Sequence, residues 1–124
     1  MASVNVTFKN KQHGELHAII THDDIWYFGK DICRILNLPS ETIVQNLAQT
    51  QKQIELPFFK EDWSIERRET LVHTSGMLDL LKLGRNESVA NWFEFFVNNK
   101  SESLIEQLES FGDEDCKINI LYEG

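Results

Sequence analysis

The chain has 124 residues and a mass of 14.5 kDa, enough for one domain with a real core. Its 41% hydrophobic and 10% aromatic residues exclude wholesale disorder, and no apolar stretch approaches the roughly 20 residues of a membrane span. The formal net charge of −8 argues against a simple nucleic-acid binder, and it is unevenly placed: residues 1–100 hold 11 Lys/Arg and 13 Asp/Glu, whereas 101–124 hold only Lys117 against seven acids.

Val4, Val6 and Phe8 alternate with polar residues and predict a half-buried strand. A turn over Lys9 to Gly14 leads into a second strand, Leu16 to Thr21. His22-Asp23-Asp24 then turns the chain into the aromatic strand Ile25-Trp26-Tyr27-Phe28. Trp26 is expected in the core. Lys30 to Leu36 predicts a short helix with Ile32, Ile35 and Leu36 on one face, Asp31 in its first turn and Asn37 as a left-handed stop. Cys33 falls inside this apolar pattern and reads as a buried structural thiol. Cys116 sits in the acidic end, and neither cysteine belongs to a ligand pair or a disulfide framework.

Pro39 and Ser40 open a second helix with Ile43, Val44 and Leu47 at helical spacing. Two short helices joined by a tight turn raise a helix-turn-helix reading, although any packed helix pair has this pattern. Ile54 to Phe59 predicts a strand ended by Pro57, and Lys60 to Arg68 an exposed loop or hairpin. Glu69 to His73 returns as a strand, and Thr74 or Ser75 is placed to cap the next helix. Met77, Leu78, Leu80 and Leu81 form that helix's apolar side, and Gly84 stops it.

The clearest helix follows, with Val89, Trp92, Phe93, Phe96 and Val97 at steps of three and four and Asn86 as its cap. A separate final helix is expected from about Ser103 to Phe111, opened by the capping-box pattern Ser103-Leu104-Ile105-Glu106 and ended by Gly112. Beyond Asp113-Glu114-Asp115, the alternation of Ile118, Ile120 and Tyr122 predicts an edge strand open to self-association. The predicted fold class is α+β: a small antiparallel sheet of hairpins packed with several short helices, in a single domain over 1–124.

No catalytic or metal motif emerges, so neither an enzyme nor a cofactor is expected. His13, His17 and His22 straddle a turn and a strand without ligand spacing, and His73-Thr74-Ser75-Gly76 lacks a nucleophile elbow. Lys30 and Arg34, four apart on one helix, together with Arg67, Arg68 and Arg85 in or beside loops, are the candidate phosphate contacts. Scattered on a nearly neutral body, they would give weak, salt-sensitive binding. Trp63, in the charged segment Glu61-Asp62-Trp63-Ser64, is a candidate protein-interface anchor, as are the acids Asp113, Glu114 and Asp115. The first residues, Met1 to Phe8, lack the flanks of a signal peptide, and the expected location is the cytosol or a host nucleus.

Two segments together resemble the BRO-N family, the N-terminal domain of prophage antirepressors and of Bro proteins of large DNA viruses. The first runs from Ile25 to Leu38, with Lys30-Asp31 matching the family's turn and Gly29 where alanine is usual. The second runs from Thr70 to Leu81 and continues through Arg85 to Val89-Ala90-Asn91-Trp92-Phe93. The resemblance spans roughly residues 16–100 and implies a non-enzymatic regulatory module that binds nucleic acid or a repressor protein. In Gly84-Arg85-Asn86-Glu87-Ser88 only Arg85 is cationic, and the family's acidic segment is not recognisable in Gln49 to Gln53. The expected partner is therefore a protein: a repressor, or another transcription or defence factor. A DNA-binding regulator with a weak basic face and an acidic DNA mimic are the alternatives, and a homo-oligomer is open.

Overall fold

The computed structural model describes residues 3–21, 24–39, 53–59, 62, 64–109 and 117–124. Its fold is α+β. Strands β1 (Ser3–Asn10), β2 (Gly14–Thr21), β3 (Ile25–Phe28), β4 (Gln53–Phe59), β5 (Ile65–His73) and β6 (Lys117–Glu123) form one six-stranded sheet in the order β4-β5-β3-β2-β1-β6. The predicted second helix, from Ser40 to Leu47, lies outside the described residues, and so does the helix-turn-helix reading built on it.

The β1–β2 hairpin and the β2–β3, β3–β5 and β4–β5 pairs are antiparallel, as the hairpin pattern predicts. The sheet as a whole is mixed, because β6 runs parallel to β1. A strand that returns after a long helical crossover meets the sheet in either direction, whereas a hairpin partner must be antiparallel. Strand alternation cannot reveal which occurs.

Helices α1 (Gly29–Leu36), α2 (Thr74–Gly84), α3 (Glu87–Trp92) and α4 (Asn98–Glu109) accompany the sheet. Val4, Val6, Phe8, Leu16, Ala18 and Ile20 are almost fully buried and share one core with Ile32, Met77, Leu80, Phe93, Leu104 and Leu108. Cys33 is buried at 5% exposure, as expected of a structural thiol. Leu78, assigned by periodicity to the apolar side of α2, is instead 48% exposed. In a run of four apolar residues within one and a half turns, one must point away from the core.

Helix ends account for several corrections. Asn37 stops α1 in the left-handed region at φ 55°, as its residue type suggests. The cap of α2 is neither Thr74 nor Ser75 but His73, whose ring accepts from the Ser75 N–H at 3.3 Å. Gly84 remains helical, and Arg85 takes the left-handed stop at φ 51°. Gly84 serves packing instead: a Cβ there would lie 3.0 Å from a Leu36 methyl, so the bare backbone lets α1 and α2 meet. Asn86 caps α3 through the Val89 N–H at 3.2 Å.

The helix beginning at Glu87 does not stop before Ser103, as two separate helices would require. A π-helical segment, Phe93–Val97, joins α3 to α4 with both junctions in the right-handed region, and Asn98 N–H reaches the Phe93 carbonyl. Ser103 is interior to α4, so its capping-box pattern is unused. Ser101 lies buried within the continued helix. Its Oγ donates to the Val97 carbonyl at 2.8 Å and lies 3.2 Å from the Tyr27 hydroxyl, which therefore acts as donor to it.

Tyr27 is wholly buried, stands edge-on to Phe93 at 5.3 Å, and has its pKa pushed up to about 12 by desolvation. A raised folded-state pKa means the stability associated with the neutral phenol is intact below the unfolded value near 10. It is lost as pH rises toward 12, at up to about 1.4 kcal/mol per unit. Stability measured by urea unfolding is expected to fall between pH 10 and 12 and to fall distinctly less in Tyr27→Phe. Equal slopes for the two proteins would refute this origin.

Candidate binding face

Strand alternation sends one set of side chains toward the helices and the other to the opposite face. On β1, β2 and β6 the second set is Asn5, Thr7, Lys9, Glu15, His17, Ile19, Asn119 and Leu121, all half-buried or exposed. Phe28 and Phe58 rise beside them. Together they bound a shallow groove of about 630 Å³, floored by β6, β1 and β2 and walled by Phe28, Lys30 and Phe58. An aromatic row runs along the wall, with His17 to Phe28 at 5.9 Å and Phe28 to Phe58 at 5.8 Å.

One buried carboxylate fixes the groove's corner. Strand β3 ends at Phe28, leaving the outward N–H of His17 on β2 without a strand partner. Asp31, 1% exposed, supplies it: Oδ2 accepts the His17 backbone N–H at 2.9 Å and lies 2.8 Å from Nδ1 of the same ring. The carboxylate only accepts, so Nδ1 carries the proton and Nε2 faces Glu15 at 3.7 Å. Arg34, one turn on, reaches Asp31 at 3.4 Å and donates to the Glu15 carbonyl.

Two of the cations singled out in the sequence are already engaged. Lys30 pairs with Glu69 at 3.0 Å, and Arg34 is engaged with Asp31 and Glu15. Arg67 and Arg68 belong to β5, not to a loop; the hairpin is tighter than its charge suggests. Arg85 sits at the end of α2. The ion pairs Lys9–Glu15 at 3.6 Å and Lys30–Glu69 at 3.0 Å balance the rim of the groove. Trp63, Asp113, Glu114 and Asp115 lie outside the described residues.

Asp24, His73 and Ser75 come together in an order suggestive of a nucleophile. Nε2 lies 2.8 Å from Asp24 Oδ1 and Nδ1 lies 3.1 Å from Ser75 Oγ. The same Nδ1 lone pair accepts the Ser75 backbone N–H, so it is committed to capping α2. Trp26 packs edge-on to this ring at 5.2 Å and is half-buried, not core. No group of three potential metal ligands occurs among the described residues, and no described helix is long and apolar enough to cross a membrane.

Most residues of this face escaped the sequence reading, although a signal was present. Ile19, Trp26, Phe28 and Leu121 are apolar residues on the polar phase of their strands. Apolar side chains out of phase mark a sheet face that meets something other than water. No family model, curated protein or solved structure matches the chain.

Proposed function

We propose that the chain is a non-enzymatic, antirepressor-like regulatory module, of viral or prophage type, that acts by binding a protein on the sheet face opposite the described helices. The observation that carries this reading is the chemistry of the groove. Ile19, Leu121, Phe28 and Phe58 supply apolar and aromatic contact, Asn5 and Thr7 supply uncharged hydrogen-bonding groups, and the charges at its rim are paired. Protein interfaces favour such a mixture, whereas phosphate recognition requires an excess of available cations. Lys30 and Arg34 would have to leave Glu69 and Asp31 before gripping a backbone, which counts against the DNA-binding alternative.

The test is capture of a repressor or other regulator from lysogenic or infected cells at low and high salt, comparing wild type with Thr7→Arg and Ile19→Glu. Salt-resistant capture that both groove variants lose, while remaining folded, is the expected result. Capture unchanged by the variants would remove the groove from the function. Capture that vanishes in high salt would favour an acidic mimic of DNA.

A further inference from the structure

The two edges of the sheet are built differently. Strand β4 carries Pro57 within it and a register irregularity between Phe58 and Phe59, both devices that discourage a further strand. Strand β6, Lys-Ile-Asn-Ile-Leu-Tyr-Glu, has neither proline nor an irregularity in its pairing with β1, and Leu121 on it is 54% exposed. It is also held firmly. Tyr122 stacks on Phe8 at 5.8 Å, Gly124 N–H donates to the Lys9 carbonyl at 2.9 Å, and Asn10 Nδ2 donates to the Gly124 carbonyl at 2.6 Å.

That Gly124–Lys9 bond fixes which backbone groups face outward. In a strand, the N–H and C=O of one residue point to the same side, and successive residues alternate. Even-numbered residues of β6 therefore address β1, while Lys117, Asn119, Leu121 and Glu123 turn their backbone groups away from the sheet. No described strand pairs with them.

We infer that β6 pairs antiparallel with β6 of a second copy, about a two-fold axis at Ile120, to give a dimer with one continuous twelve-stranded sheet. This register brings outward-facing residues opposite one another: 117 against 123 and 119 against 121, in both directions. All four residues of each strand then form hydrogen-bonded pairs, and Ile120 meets its own copy as the central non-bonded pair. The sequence of the strand suits the same register. Lysine at 117 stands opposite glutamate at 123 at both ends, so the charges are complementary. Leu121 gains cover from Asn119 opposite and from the second Leu121 on the diagonal. A two-fold axis perpendicular to the sheet keeps both grooves on one side. The dimer does not depend on what the groove binds.

Sedimentation velocity between about 5 and 200 µM tests the pairing. Wild type is expected to shift to a dimer over this range. Leu121→Pro removes an outward N–H and no bond to β1, so it should raise the dimer dissociation constant about tenfold or more with the circular dichroism spectrum preserved. Lys117→Glu and Glu123→Lys each set like charges opposite at two positions and should weaken self-association about tenfold. Mixed together, those two variants should form a heterodimer, because each unlike pair is restored. A wild type that remains monomeric throughout would overturn the proposal. So would charge variants that dimerise like wild type and show no preference for each other, whatever the proline variant does.

Discussion

Asp31→Ala is expected to cost about 2–4 kcal/mol of folding stability, far more than a helix N-terminal acid contributes through the dipole alone. The carboxylate is 1% exposed, and three donors lose an acceptor with it: the His17 N–H, the His17 ring and the Arg34 guanidinium, of which Arg34 keeps the Glu15 carbonyl. The backbone donor matters most, because no water-facing rotation releases it as rotation releases a side chain. Asp31→Asn retains an oxygen for that N–H but not the charge for Arg34, so an intermediate loss of about 1–2 kcal/mol is expected. His17→Ala removes only the ring and should cost less than either. Urea unfolding of the three variants checks the order. An Asp31→Ala protein within about 0.5 kcal/mol of wild type would show that the carboxylate does not complete the β2 ladder.

The place of Asp31 in the sequence reading shows what a single chain of letters makes legible. Its position in the first turn of α1 was readable because helix periodicity and dipole preferences are local. Its actual partner is 14 residues away on β2 and becomes necessary only because β3 is four residues long and ends beside it. The same division runs through the fold. The β1–β2 hairpin, the aromatic strand, the Asn37 stop, the Asn86 cap and the final edge strand follow from alternation and capping chemistry. The parallel direction of β6, the close approach at Gly84 and the neutralisation of Lys30 by Glu69 depend on contacts between distant segments. The candidate face lies between these cases. Leu121 and Ile19 were visible as apolar residues out of phase, but only the sheet order places them across one groove.

A groove on a sheet face presents a rigid floor, since β1 and β2 are each held between two neighbouring strands and β6 is paired along its length with β1. Its Phe28–Phe58 wall offers aromatic area at low entropic cost. A cationic surface made from Lys30 and Arg34 would require breaking contacts that position α1 against β2 and β5. Binding a protein leaves those contacts intact, which is why the scaffold and the proposed role are compatible.

Two single-residue deletions should separate sharply in the long helix. Buried Val89, Phe93, Val97, Ser101, Leu104 and Leu108 are spaced by four, four, four, three and four residues. In an unbroken α-helix each step of four overshoots a full turn by about 40°, so three in succession would rotate the stripe about 120° off the core. The π segment Phe93–Val97 absorbs that excess. Deleting Phe95, which is 68% exposed, changes the spacing to four, three, four, three and four, an ordinary amphipathic α-helix. This variant should fold with stability within about 1 kcal/mol of wild type. Deleting exposed Glu102 instead leaves Leu104 two residues after Ser101 and turns Leu104 and Leu108 about 100° from the sheet. Losing the burial of both leucines costs about 4–6 kcal/mol, comparable to the whole stability of a domain this size. Cooperative thermal unfolding should therefore survive the first deletion and disappear with the second. Equal outcomes would mean that the π segment does not set the phase of the buried stripe.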